Sequence, residues 1–502
     1  MTSRETQSPS ALSVDPPDRD HRTETHGETT RSSRRLAITL GVIVTCQLMV
    51  SVDSNVVNIA LPQIQSGLNM SAQALAWVFS AYSLAYGGLL LLGGRASDIL
   101  GRRRMFVWGL SLVVAASILG GIAPNQGLLI AARALQGVGF AFAGPAALSL
   151  IAATFAEGPH RTRALSVFSM VTGFGITLGL ILGGVLTTLS WRLVFFINVP
   201  IGIVTIVLAQ LYLVETQRHP AKFDVLGAIV STLGMVGIVY GLTRASTAGW
   251  GDSVAWAAFV AGVVLVAVFV FIERHAAQPI MPLRLLSKRV RAGAYLSFVL
   301  LMVSMGGTYI LLSLYVQNAL GFSSWQAGLA FLPMAVVQFF AARRAVKLIA
   351  RFGRKPVLIT GVILMGLEAI WLTTTTESSN YLTGIVGPFI LLGAGLSLAF
   401  VTLNMTVLGG LEPRDMGAAS GLLQAAQQVG LSLGVAILTT ISQSSRHGHA
   451  GRDALSHGLS TAVIAAVVAC ALALVVSIFV IKTASSGQGG SGQSHEPVGG
   501  EE

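Results

Sequence analysis

Residues 77–122 read WVFSAYSLAYGGLLLLGGRASDILGRRRMFVWGLSLVVAASILGGI, two apolar runs around one polar interruption. The interruption is Gly93-Gly94-Arg95-Ala96-Ser97-Asp98-Ile99-Leu100-Gly101-Arg102-Arg103-Arg104. An α-helix crosses a bilayer with roughly 20 mostly apolar residues, and arginines between two such runs mark a cytoplasmic turn. Gly94 and Gly101 allow close approach of a neighbouring helix. Asp98, set among Arg102, Arg103 and a helix end, suits a latch made in one helix arrangement and broken in another. An ordinary basic turn is the other reading, since such turns are common in membrane proteins.

The same alternation continues in both directions. The 502 residues are 53% hydrophobic and 11% charged, far more apolar than a water-soluble chain. Fourteen spans are expected, at about 36–58, 73–94, 105–124, 127–154, 164–188, 193–214, 224–243, 254–272, 292–317, 325–349, 356–376, 381–408, 417–441 and 459–481. With the amino terminus inside, 27 of the 32 Lys and Arg residues fall on the cytoplasmic side. Only Arg133, Arg192, Arg244, Arg446 and Arg452 do not. That asymmetry supports an even number of spans and cytoplasmic termini. It also accounts for the net charge of +11 without nucleic acid, whose binders present a soluble basic face. An excess of Arg over Lys, with abundant Ala and Gly, suggests a GC-rich bacterial genome.

The halves echo one another. Gly101-Arg102-Arg103 is matched by Gly353-Arg354-Lys355 half a chain later, and internal repeats of this kind are a transporter signature. The expected organisation is a disordered cytoplasmic tail over 1–35, a six-helix bundle over 36–214, two extra helices with a cytoplasmic linker over 215–291, a second six-helix bundle over 292–481, and a second disordered tail over 482–502. Both tails are too polar to offset the entropy of folding. Cys46 and Cys470 lie in apolar runs near opposite ends, so no disulfide framework or thiolate metal site is expected. His447, His449 and His457 are loosely spaced without an accompanying cysteine, a weak basis for a metal.

Several polar residues fall inside spans. A carboxylate there costs about 2.5–3.5 kcal/mol on insertion scales, so Asp53 is expected either to load and release a proton or to serve as a structural hydrogen-bond partner. Arg133 stays charged wherever it is placed; it either couples to Asp53 or snorkels to the outer headgroups. Gly175, Gly179 and Gly183, with Gly184, form a stripe for backbone-to-backbone helix packing. Glu368 lies mid-span, where it either attracts cations, carries a second proton or is simply buried. Asn55, Asn58, Gln136, Gln424 and Gln428, with Gln427, are candidates for lining a cavity or for helix–helix hydrogen bonding. Asp224 reads as a helix-start residue, and Trp191-Arg192 as an interfacial anchor.

Together these segments resemble the major facilitator superfamily. The segment from Gly93 to Arg104 resembles its span 2–3 loop signature. Asp53-Ser54-Asn55-Val56-Val57-Asn58-Ile59-Ala60-Leu61-Pro62 resembles the first helix of its fourteen-span drug:proton antiporters, and Arg133-Ala134-Leu135-Gln136-Gly137 its Arg-x-x-Gln-Gly signature. The stripe from Gly173 to Gly184 is similar to the antiporter signature of span 5, except that Leu180 stands where a proline is usual. The segment from Trp191 to Pro200 and Asp224-Val225-Leu226-Gly227 match the same branch. The resemblance implies an all-α membrane protein, with two six-helix bundles plus two intervening helices around a central cavity. It implies proton-coupled efflux of small amphipathic or drug-like molecules across a bacterial inner membrane, by a monomer with no cofactor. The alternatives are an exporter dedicated to one endogenous metabolite or antibiotic, and a membrane sensor or scaffold that has lost transport, for which Leu180 is the best support. No segment assembles a nucleophile, base and oxyanion site, and no phosphate-binding loop is present, so neither an enzyme nor an ATP-driven pump is expected.

Overall fold

The computed structural model describes residues 20–215, 224–275, 281, 283–412, 415–446 and 451–479, with side chains from Arg34 onward except at scattered helix positions that include Asn58 and Leu180. The chain runs α1 (Asp20–Leu68), α2 (Ala72–Leu100), α3 (Arg102–Gly121), α4 (Gln126–Thr154), α5 (Pro159–Leu189), α6 (Leu193–Phe196), α7 (Asn198–Tyr212), α8 (Val225–Ala248) and α9 (Ser253–His275). It continues through α10 (Arg284–Ser287), α11 (Arg289–Leu314), α12 (Ser324–Ala330), α13 (Leu332–Phe352), α14 (Arg354–Thr373), α15 (Val386–Leu408), α16 (Met416–Ser444) and α17 (Gly451–Phe479). Two π-helical turns, Tyr315–Ala319 and Tyr381–Ile385, extend α11 and precede α15. Among the described residues, 13 helical segments are long and apolar enough to cross a membrane, counting α6 with α7 and α12 with α13 as single crossings. The 31-residue α5 is the further long helix, over the span expected at 164–188.

The first helix corrects one expectation. Residues 20–35, read from composition as part of a disordered tail, are helical and continuous with the first span. A polar segment joined to a formed helix adds turns without a new nucleation step. The remainder of that tail, the tail over 482–502, Arg218, Lys222, Arg414, His447 and His449 lie outside the described residues.

Helices α1–α7 form one bundle: α2 and α3 pack on α4, and α1 packs on α5 and α7. Helices α11–α17 form the other, in which α11 packs on α16 and α17, and α14 on α15 and α17. The α8–α9 hairpin stands outside both. Its α8 rests on α2 and α16, one helix from each bundle, while α9 turns Val260, Val264 and Phe271 outward, as a lipid-facing helix does. Cys46 and Cys470 are buried free thiols, one in each bundle.

The repeat is visible in the backbone. At the α2–α3 junction Gly101 has φ +105°, and at the α13–α14 junction Gly353 has φ +83°, values that a residue with a Cβ rarely adopts. Pro145 lies inside α4 and has no N–H to donate to the Ala141 carbonyl one turn earlier. It is against this carbonyl that α2 brings Gly93, with no room for a Cβ.

Trp191 and Arg192 are not an interfacial anchor. Trp191 is 8% exposed and its indole packs on Gly67. Arg192 stacks 4.4 Å over the Trp191 ring and donates to the Gly121 and Ala123 carbonyls at 2.9 Å. Those carbonyls belong to the α3 C-terminal end, where helical donors run out.

Candidate functional site

The centre of the first bundle holds an ion pair fully withdrawn from solvent. Arg133 and Gln136 sit three residues apart on α4 and so share a face; that face meets Asp53 of α1. Arg133 donates to Asp53 Oδ2 at 2.7 Å, and Gln136 Nε2 donates to Asp53 Oδ1 at 3.1 Å. A third donor, Asn198 Nδ2, reaches Oδ1 at 2.7 Å. Asn198 opens α7 just where the short α6 has ended. Pro200, two residues on, has no N–H for the Phe196 carbonyl, which fits the break there. Gln136 also donates to Ser117 of α3 at 2.8 Å and accepts from Arg133 at 2.8 Å. The Arg133 Nε donates to the Val78 carbonyl at 3.2 Å. Arg133 lies seven residues into α4, about 10 Å along the helix axis, and its charge is spent on Asp53 rather than on headgroups.

The arrangement is an anion that accepts from three side chains on two helices, α4 and α7, held against a cation that cannot lose its proton. Adding a proton to Asp53 would cancel the anion and strand the Arg133 charge, and a buried ion pair broken on one side costs about 3–5 kcal/mol. The guanidinium has one other neighbour that favours positive charge: it lies 4.3 Å above the Tyr82 ring, a cation–π contact.

From Tyr82 the contacts lead to the second bundle. Tyr82 stacks on Tyr86 with centroids 5.8 Å apart and planes 15° from parallel, and Tyr86 donates to Gln424 Oε1 of α16 at 3.0 Å. Gln424, Tyr86, Gln47, Ser169, Thr172, Asn404 and Gln427 supply the polar lining of a cavity of about 30 Å³ between the bundles. Asn404 of α15 bridges the bundles too, donating to Ser169 of α5 at 3.3 Å.

A clasp joins the bundles at the arginine-rich end. Asp98 accepts from the Gly417 and Ala418 backbone N–H groups at 2.9 and 3.0 Å and from Arg102 at 3.1 Å. A carboxylate thus sits on the N-terminal end of α16, where unpaired donors and the helix dipole favour negative charge. Gly94 lies against Gly417 and Gly421 with no space for a side chain. Gly101 leaves room for Glu215, which accepts from the Arg103 backbone N–H at 3.2 Å, and the Arg103 side chain donates to the Gln210 carbonyl at 2.6 Å. Glu157, which the sequence reading passed over, accepts from Gly410 N at 2.9 Å and from Arg161 at 2.9 Å. At the other end, Trp325 of α12 packs on Gly184 of α5, and Gly328 on Ile181.

The remaining candidates are scattered. Gln136 belongs to the Asp53 network and not to the cavity. Gln428 packs on Gly87 of α2. Asn55 donates to its own helix at Ser51 O, 2.7 Å, and touches Gly179, while Gly175 meets Ser51, so the glycine stripe seats α5 on α1. The Asn58 side chain and Leu180 are outside the described positions. Glu368 is apart from the cavity lining: it is 1% exposed within the second bundle, and neither carboxyl oxygen has a hydrogen-bond partner. Asp224 caps α8 by accepting from Gly227 N at 2.9 Å. Asn198, Ser117 and Tyr82 were not singled out as site residues; Asn198, an amide two residues before a proline within a span, is the one with a local signal.

Two bundles of membrane-crossing helices, meeting over a polar cavity and fastened by a clasp at one end, define a multi-pass membrane carrier. The profile of the Major Facilitator Superfamily matches residues 43–435, with an overlapping match over 294–498, and the chain belongs to that superfamily. Among its relatives are the Cephamycin export protein CmcT of Amycolatopsis lactamdurans, 37% identical over 439 residues covering 86% of this chain and 90% of that protein, and the Puromycin resistance protein pur8 of Streptomyces alboniger, 37% identical over 443 residues covering 85% and 88%. The fold matches the solved structure of the MFS proton:xylose symporter XylE bound to 6-bromo-6-deoxy-D-glucose with a TM-score of 0.64, at 15% identity, over 90% of this chain and 97% of that one; the likeness is one of fold.

Proposed function

We propose that the chain exports antibiotic-like amphipathic molecules from the bacterial cytoplasm in exchange for protons, with Asp53 as the proton-carrying group. The observation that carries the reading is the Asp53–Arg133 pair, completely buried at 2.7 Å, in a chain whose relatives are named for antibiotic export and resistance. The arginine-rich end is then cytoplasmic, in keeping with the charge asymmetry. The protein lies in the inner membrane, acts as a monomer and needs no cofactor beyond the proton gradient.

A proton arriving from outside neutralises Asp53, and Arg133 loses its counter-charge. The first bundle relieves the stranded cation by rearranging around Tyr82, which loosens the route through Tyr86 and Gln424 to α16. The Asp98 clasp opens, cytoplasmic substrate binds between the bundles, and loss of the proton to the cytoplasm restores the pair and closes that side. One elementary charge crossing 100 mV releases about 2.3 kcal/mol, enough for a roughly 50-fold substrate gradient.

The test is transport in everted vesicles. Asp53→Asn is expected to abolish proton-coupled efflux of puromycin and cephamycin while leaving the protein folded. Full coupled efflux by that variant would end the assignment. A narrower reading, export of a single compound, is favoured by the one-compound name of CmcT; resistance to chemically unrelated antibiotics in an efflux-deficient host would exclude it.

A further inference from the structure

The cavity between the bundles is walled by Leu148, Phe168 and Phe400, and its polar lining contains neither a carboxylate nor a cation among the described residues. Two side chains in it are bound on one side only. Gln424, 7% exposed, uses its carbonyl to accept from Tyr86, and its Nε2 has no partner. Asn404, 3% exposed, uses its amide nitrogen on Ser169, and its Oδ1 has no partner. One cavity therefore holds an unmet donor and an unmet acceptor, each buried and each on a residue that bridges the bundles. Unmet polar groups of this kind are costly where water is excluded.

We infer that Gln424 and Asn404 form an uncharged binding site for the exported molecule, which reads a neutral group carrying adjacent acceptor and donor atoms: an amide or a hydroxy-carbonyl. The inference rests on the export reading and deepens it. A ligand carbonyl accepts from Gln424 Nε2 and a ligand N–H or O–H donates to Asn404 Oδ1, both unmet in the closed state. A cation finds no counter-charge here, because the nearest described carboxylate along the stacked tyrosines, Asp53, is spent on Arg133. At about 30 Å³ the cavity admits little more than a water molecule, so the ligand enters as the bundles part. Its two contacts use the atoms that the Tyr86–Gln424 and Asn404–Ser169 bridges leave free, and those bridges yield as the bundles part to admit the ligand, which links binding to separation of the bundles.

The experiment is equilibrium binding to purified full-length protein of two labelled probes, chloramphenicol (a neutral hydroxy-amide) and tetraphenylphosphonium (a cation without hydrogen-bonding groups), with proton counterflow measured for both in proteoliposomes. The wild type is expected to bind chloramphenicol and to bind tetraphenylphosphonium at least tenfold more weakly. Gln424→Leu and Asn404→Leu should each weaken chloramphenicol binding about 3–10-fold, the worth of one neutral hydrogen bond. The near-isosteric Gln424→Glu, which keeps size and fold, should gain tetraphenylphosphonium binding. Equal or tighter binding of the cation by wild type, no chloramphenicol binding, or chloramphenicol binding unchanged in the variants overturns the inference. If tetraphenylphosphonium drives proton counterflow and chloramphenicol does not, export stands and the ligand chemistry falls. If chloramphenicol binds with the stated dependence yet moves no protons, the ligand chemistry stands and proton-coupled export falls.

Discussion

Asp53 accepts from Arg133, Gln136 and Asn198, so the members of this network differ in what their loss leaves behind. Arg133→Ala leaves an unpaired buried carboxylate and is expected to cost about 3–5 kcal/mol. The charge-free double variant Asp53→Asn with Arg133→Gln is expected to cost clearly less than the two single changes added, because no lone charge remains. Thermal unfolding of wild type, Asp53→Asn, Arg133→Gln and the double variant, purified in detergent, measures the coupling. Glu368 gives the opposite expectation. It has no hydrogen-bond partner to lose, so Glu368→Leu is expected to hold or raise the unfolding temperature, and a drop of several degrees would reveal a partner. Asp53 and Arg133 were legible in sequence because charge inside an apolar run is costly enough to be conspicuous. Asn198 was not, since a neutral amide near a span end is unremarkable until the break at Ile197 turns it toward Asp53.

Among elements, the α15–α16 connection is held from several directions. Glu157 binds its start at Gly410, Asp98 caps α16 at Gly417 and Ala418, and Arg284 of α10 contacts Asp415 at 2.9 Å. Asp98 uses both oxygens on the two backbone donors, so Asp98→Asn loses one acceptor as well as the charge. A loss of about 1–2 kcal/mol shifts an open–closed equilibrium roughly 5–30-fold. Spin labels at the exposed Arg104 and Lys288 should show a longer-distance population growing in Asp98→Asn and growing further when Glu157→Gln is added; an unchanged distribution would mean the clasp is ornamental. The Asp98 segment announced itself through its arginines. Its partner did not, because the partner is backbone: the amide groups of Gly417 and Ala418 carry no side-chain signal.

For the whole molecule, the α8–α9 turn is fastened separately. Arg244 donates to both oxygens of Asp252 at 2.9 and 3.0 Å. The hydrogen bonds from Arg244, then that from the Ala255 backbone, lower the Asp252 carboxyl to about 2. A depressed acid contributes stability that is present above its unfolded value, 3.8, and is lost as pH falls toward 2. The stability difference between wild type and Asp252→Asn should therefore be flat from pH 8 to 5 and shrink below about 4. Any change in transport rate between pH 5 and 8 then arises elsewhere than in this clamp.

The order of apolar runs, the side on which arginines fall and the presence of charge within spans follow from chain composition, because the bilayer penalises each misplaced charge and each unpaired backbone group wherever the helix later packs. By itself the sequence therefore determined a many-span carrier in two related halves, with Asp53 and Arg133 as residues to watch. Only the tertiary structure decided that Asn198 completes the Asp53 site, that Gln136 belongs there and not in the cavity, and that Gln424 and Asn404 line one cavity while reaching Tyr86 and Ser169 of the other bundle. Those partners lie 83, 145 and several hundred residues apart or on different bundles, and a hydrogen bond's reach of about 3 Å is set by helix packing, which no local pattern encodes.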